Sequence, residues 1–159
     1  SDLNEAATSG LGFTLHAANA APHDVLHLTG GAIGQGLPGA VGAAIAAPDR
    51  RVVAFQADGS GMYTLQSLWT MAREQLDVTI VVCANRAYRI LQMELGRTGN
   101  ADPGPVARSL TDLEHPELQW TRLAEGMGVP ARRVTTTTEL RDALDASRGP
   151  GPVLIEAIL

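Results

Sequence analysis

Apolar positions in this chain fall into two kinds of pattern. The runs Val52-Val53-Ala54-Phe55 and Val78 to Cys83 are short, unbroken and bounded by polar or turn-forming residues, as in strands buried on both faces. Between such runs, apolar residues return every three or four positions. This pattern predicts strands at 25–28, 51–56, 78–84, 131–135 and 152–158, with the stub of a first strand at 2–5. It predicts helices at 9–21, 34–47, 64–75, 88–95, 117–127 and 137–147. Leu65, Leu68, Trp69 and Ala72 share one helical face, Trp69 and Trp120 fall at helical core positions, and Thr137 or Thr138 stands near the cap of the 137–147 helix. Strands that alternate with helices imply an α/β fold of three layers: a mostly parallel central sheet with helices on both faces.

The stretch 96–116 breaks the alternation. Gly96-Arg97-Thr98-Gly99-Asn100-Ala101-Asp102-Pro103-Gly104-Pro105 is a run of turn formers, and a loop this long in a compact domain is expected to be a functional lid or a disordered segment. The 159 residues suit one domain, 1–159, and the absence of Met at Ser1 suggests a fragment or trimmed subunit of something larger. A net charge of −5 argues against nucleic acid as a partner, and no apolar run is long enough to span a membrane. Every basic residue is Arg, which excludes a Schiff-base or P-loop lysine within the chain. Cys83, the single cysteine, reads as a buried structural thiol, in keeping with a reducing, cytoplasmic setting.

Chemistry concentrates at the ends of two predicted strands. Asp58 follows Val52 to Ala57, and Asn85 lies 27 positions later, directly after the second apolar run. In an open parallel sheet, ligands bind beyond the carboxyl ends of the strands. A carboxylate from Asp58, an amide oxygen from Asn85 and the carbonyl of Ala87 would suit a hard divalent cation such as Mg²⁺, which commonly bridges to phosphates. Gly59 would permit a tight turn close to those phosphates, and Ser60 would donate its hydroxyl to them. Either residue by itself is equally a turn former; the joint placement carries the reading.

A second reading rests on the glycines. Gly34-x-Gly36-x-x-Gly39 matches a dinucleotide fingerprint, with Asp58 placed 19 residues on as a ribose-binding acid. Against an NAD-binding Rossmann unit, Gly34 lies past the strand end rather than at it, Pro38 stands inside the turn, and Asn85 has no part to play. Close packing of a helix against its neighbours is the plainest account of these glycines.

Taken together, Ala57-Asp58-Gly59-Ser60 and Asn85-x-x-Tyr88 resemble the signature of thiamine diphosphate-dependent enzymes of the acetolactate synthase, benzoylformate decarboxylase and pyruvate decarboxylase type. Gly30-Gly31-x-Ile33-Gly34-x-x-Leu37-Pro38-Gly39-Ala40 and Asn4-Glu5-Ala6-Ala7-Thr8-Ser9 are similar to segments upstream of that signature. The resemblance covers 4–95 and implies the C-terminal, diphosphate-binding domain of a longer enzyme. It implies Mg²⁺ on Asp58, Asn85 and the Ala87 carbonyl, with the diphosphate held by Gly59, Ser60, Tyr88, Thr8 and Ser9. Ile33 would prop the cofactor into its bent shape, and the Gly31 carbonyl would accept a hydrogen bond from its aminopyrimidine. Ala57 and Ala84 depart from the usual glycine and asparagine, which opens a further alternative of a cofactor-binding module without turnover.

The resemblance also implies a missing half. The glutamate that activates the cofactor ring belongs to a pyrimidine-binding domain and has no counterpart here, so no catalytic residue is assigned in this chain. Glu5 is left outside that role. The implied substrate is a 2-oxo acid, decarboxylated with or without ligation to a second carbonyl. The partners are a pyrimidine domain of the same or another subunit and further copies in a dimer or tetramer. FAD, where the full enzyme carries it, would sit mainly in another domain. The four histidines, His16, His23, His27 and His115, show no metal-ligand spacing.

Overall fold

The computed structural model describes residues 1–100 and 102–159; Ala101, within the turn-former run, lies outside the described residues. Six strands form one sheet: β1 (Asp2–Glu5), β2 (Val25–His27), β3 (Val52–Ala57), β4 (Val78–Ala84), β5 (Ala131–Val134) and β6 (Val153–Ile158). Their order is β2-β1-β3-β4-β6-β5, and every neighbouring pair is parallel. The central strand β4, whose sequence is almost wholly apolar, is buried at six of its seven positions because both faces are covered.

The helices cover both faces. Side chains at alternate positions, Val52 and Ala54 of β3 with Ile80 and Val82 of β4, meet α2 (Gly36–Ala46), α4 (Ser67–Arg73) and α7 (Trp120–Gly126) through Leu37, Ala40, Leu68, Met71 and Trp120. The opposite positions, Val81, Ile155 and Ala157, pack on Ala143 and Leu140 of α8 (Thr137–Ala146). On that face Phe55 also packs at a tilt against Phe13 of α1 (Phe13–His16), with ring centroids 5.2 Å apart.

Four expectations need correction. The 9–21 helix is only the single turn of α1, flanked by 3₁₀ turns at Ala7–Gly10 and Ala17–Asn19. Gly10 and Gly12 weaken helix there, and Leu11 and Leu15 project away from the sheet. Trp69 is 54% exposed with the Arg73 guanidinium over its ring, while Met71 takes the core position. The cap of α8 is Thr136: its hydroxyl accepts the Glu139 N–H at 3.2 Å and the Glu139 carboxylate accepts the Thr136 N–H at 3.1 Å, a reciprocal capping box. Of the two expectations for 96–116, the disordered one is corrected, since its described residues include regular structure. The helix α5 (Arg89–Arg97) reaches into it and α6 (Pro105–Ser109) forms within it. Its end then pairs with the loop after β4, where Tyr88 donates to the Thr111 carbonyl and Leu113 donates to the Arg86 carbonyl, both at 2.9 Å.

The topology singles out one crevice. From β1 the chain moves outward to β2; from β3 it moves the other way, to β4. The carboxyl ends of β1 and β3 therefore flank the switch point, where open α/β sheets bind ligands.

Candidate functional site

Asp58 begins a one-turn helix, α3 (Asp58–Gly61), at the tip of β3. Asp58 is 2% exposed as a residue. One carboxylate oxygen accepts the Gly59 N–H at 2.9 Å and the other accepts the Arg86 N–H at 2.7 Å. Among the described residues no cationic side chain pairs with it. Burial raises its pKa above the ordinary carboxylate value, and the Glu156 charge adds to the rise, while the two N–H donors oppose it. Cys83, on the neighbouring strand, is pushed up to about 11 by burial and by Asp58.

Asn85 ends β4 beside this carboxylate. Its side-chain oxygen accepts the Ala87 N–H at 3.0 Å, an Asx turn. Arg86 between them adopts φ +57, a conformation uncommon for a residue with a side chain. Ala57, by contrast, has φ −76 and ψ 144, so replacing a glycine there requires no left-handed backbone.

Asp58, Asn85 and Ala87 line one cavity of about 50 Å³. Thr8, Ile33, Gly59, Ser60 and Tyr88 line the same cavity. The two oxygen donors at the strand tips thus share a common space. Ser9 and Gly31 are not part of the lining; both are exposed. Gly59 is required for a reason the sequence does not disclose: a Cβ there would lie 2.5 Å from the Tyr88 ring. The Ser60 hydroxyl is turned inward, 2.7 Å from the Gln56 amide.

A buried carboxylate with no cationic partner among the described residues, next to an amide oxygen in one small cavity, fits a hard divalent cation by donor chemistry. The same contacts explain the glycine fingerprint differently. Gly34 follows the end of β2 by seven residues and takes φ +91 against Tyr63, Gly36 lies on Glu5 and Gln56, and a Cβ at Gly39 would stand 2.7 Å from Leu3. These glycines serve packing, not a strand-end dinucleotide turn. An exposed group of Asp112, Glu114 and His115 lies close enough to share an ion, although Asp112 is already bonded to His115 at 2.8 Å.

Comparison with known proteins shows the family. Residues 7–157 match the family described as thiamine pyrophosphate enzyme, C-terminal TPP binding domain. The chain belongs to this thiamine diphosphate-dependent enzyme family. It is 53% identical over 159 residues to a Mycobacterium tuberculosis protein provisionally named an acetolactate synthase large subunit, IlvX, covering 99% of this chain and 31% of that one. It is 36% identical to the benzoylformate decarboxylase of Pseudomonas aeruginosa over 79% of this chain and 23% of that protein. The solved 4-hydroxybenzoylformate decarboxylase of Rhodococcus jostii superposes with a TM-score of 0.74 at 32% identity, over 83% of this chain and 24% of that one. The chain therefore spans about a third or less of these relatives' length. Among the described residues no helix is long and apolar enough to cross a membrane.

Three further residues shape the site: Gln56 and Arg86, which no motif marks, and Glu5, which the sequence leaves without an assigned role. The partners of Glu5 are main-chain N–H groups 29 and 31 positions away, which no side-chain motif signals.

Proposed function

We propose that this chain is the diphosphate- and Mg²⁺-binding domain of an acetolactate synthase-like enzyme that decarboxylates a 2-oxo acid and ligates the product to a second carbonyl. The observation that carries the reading is the shared cavity of Asp58, Asn85 and Ala87 at the tips of β3 and β4, with Asp58 buried and unpaired. Asp58 and Asn85, with the Ala87 carbonyl, would hold the cation. Thr8, Ser9, Gly59, Ser60 and Tyr88 would surround the diphosphate, and Ile33 and the Gly31 carbonyl would face the rest of the cofactor. When bound, thiamine diphosphate supplies an electron sink for loss of carbon dioxide, and the protein's part is to bind, orient and exclude water.

The 53% identity to the IlvX protein favours the ligating reading. The matches to benzoylformate decarboxylases support a non-ligating decarboxylase as the second reading. In either case the activating glutamate would come from a pyrimidine-binding domain elsewhere in the polypeptide or in a partner subunit, within a homo-oligomer. FAD, where the full enzyme carries it, would sit mainly outside this domain.

Calorimetry on the complete polypeptide tests the proposal. Thiamine diphosphate should bind only with Mg²⁺, and Asp58→Ala should weaken it by about 100-fold. Metal-independent binding of NAD with no response to thiamine diphosphate would contradict it. Product analysis with a 2-oxo acid separates ligation from simple decarboxylation.

A further inference from the structure

Glu5 is the last residue of β1 and is 3% exposed, yet no cationic side chain pairs with it among the described residues. Its two oxygens are instead occupied by main-chain donors: one accepts the Gly34 N–H and the other the Gly36 N–H. Its register partner on β3 is Gln56. With the Gln56 amide oriented to satisfy all its neighbours, the NH₂ donates to Glu5 at 3.3 Å. The amide oxygen then accepts from the Gly61 N–H at 3.2 Å and from the Ser60 hydroxyl at 2.7 Å. An apolar side chain in place of Glu5 would avoid the cost of burying a charge, so the carboxylate calls for a use that only an acceptor of two N–H groups can meet.

That use lies one residue upstream of Gly34. Ile33 stands 48% exposed, between the Asp58 cavity and a second cavity of about 350 Å³ lined in part by Glu5, His27 and Ser60. The turn that presents it is pinned from both sides. Glu5 holds the Gly34 N–H, and the Thr64 hydroxyl donates to the Gly34 carbonyl at 2.8 Å. Each Glu5 oxygen accepts a main-chain N–H, so Glu5 acts on this turn through the main chain.

We propose that Glu5 is a positioning residue that, by holding the Gly34 and Gly36 N–H groups, sets Ile33 as a rigid strut against the bound cofactor. The inference rests on the reading of Ile33 as the residue that shapes the cofactor. In a Gln at position 5 one donor would face a donor, and the turn would loosen without removing Ile33.

The test uses the complete polypeptide with Mg²⁺ and two probes in calorimetry: thiamine diphosphate, and inorganic pyrophosphate, which lacks the rings that the strut would bear on. Glu5→Gln should weaken thiamine diphosphate by about tenfold and leave pyrophosphate within about twofold. Ile33→Ala should do the same, and the double variant should be no weaker than the worse single one, within about twofold. Thr64→Val removes the opposite pin without opening the core. It should weaken thiamine diphosphate by about threefold and leave pyrophosphate unchanged, which keeps the proposal testable if Glu5→Gln does not fold. Equal losses for both probes would mark Glu5 as merely structural and overturn the proposal. Unchanged thiamine diphosphate binding in a folded Glu5→Gln or in Thr64→Val, or losses that multiply in the double variant, would overturn it as well. A parent protein that binds neither probe with Mg²⁺ would instead defeat the cofactor reading itself.

Discussion

Asp58 and Arg86 are joined through the main chain and not through charge. The Arg86 N–H donates to the Asp58 carboxylate at 2.7 Å, while the Arg86 guanidinium turns away to Glu117 at 2.9 Å. A positively charged side chain one peptide from the proposed metal site is thereby kept out of it. The same residue ties that site to the segment after α6, because its carbonyl accepts the Leu113 N–H.

Arg86 sits at φ +57, so substitutions there should separate backbone from charge. Arg86→Gly relieves a left-handed conformation and loses a half-exposed ion pair, two effects of about 1 kcal/mol each that oppose one another. Its thermal midpoint should stay close to the parent's. Arg86→Val, with a β-branched side chain in that conformation, should cost about 2 kcal/mol and weaken Mg²⁺ binding. Thermal melts and Mg²⁺ calorimetry on the two variants check this.

Gly59→Ala should displace Tyr88, since the added Cβ would fall 2.5 Å from the ring. The expected cost is about 1–3 kcal/mol of stability, with weaker diphosphate binding. Combining it with Tyr88→Ala, which opens the space, should recover most of the stability but not the binding.

Cation affinity should depend on pH through Asp58. Its carboxyl is raised above the ordinary value in the fold, so the folded state favours the protonated form. Its contribution to stability is present below the unfolded-state pKa of about 3.9 and is lost as pH rises through the higher folded value. A divalent cation needs the ionised form. Mg²⁺ affinity should therefore climb from about pH 4 and level off only above the raised Asp58 pKa. Glu156→Gln removes a charge that helps to raise Asp58, and should move the climb to lower pH. Calorimetric titration across that range measures both.

Glu156 is 1% exposed and is held by Arg133 through two bonds of 3.2 and 3.1 Å, with the Thr121 N–H at 3.3 Å. Arg133→Ala strands this carboxylate and should cost about 2 kcal/mol, below the figure for a wholly enclosed pair because Arg133 itself is partly open to solvent. Chemical denaturation gives the difference directly.

The degree to which the fold was legible followed burial. The expected strand 78–84 coincides with β4, because a strand covered on both faces reads as a nearly unbroken apolar run. The 9–21 helix was misjudged because small residues mimic helix periodicity without supplying side chains to dock. Helical spacing groups Trp69 with Leu65, Leu68 and Ala72, whereas Met71 is the residue that is fully buried and Trp69 lies at the edge of that face. At the site, Asp58 and Asn85 were legible because strand-end position and side-chain chemistry coincide in the sequence. Thr8 and Ile33 entered only through family resemblance, since long-range folding brings them to the same cavity. Glu5 could not be read at all as the anchor of Gly34 and Gly36, because main-chain donors carry no residue-specific mark.

The most direct measurement is anomalous diffraction from crystals of the complete polypeptide grown with Mn²⁺ and thiamine diphosphate. The account predicts one strong peak about 2.1 Å from an Asp58 carboxylate oxygen, the Asn85 side-chain oxygen and the Ala87 carbonyl. A fully loaded site with its peak elsewhere, such as at Asp112, Glu114 and His115, would contradict it.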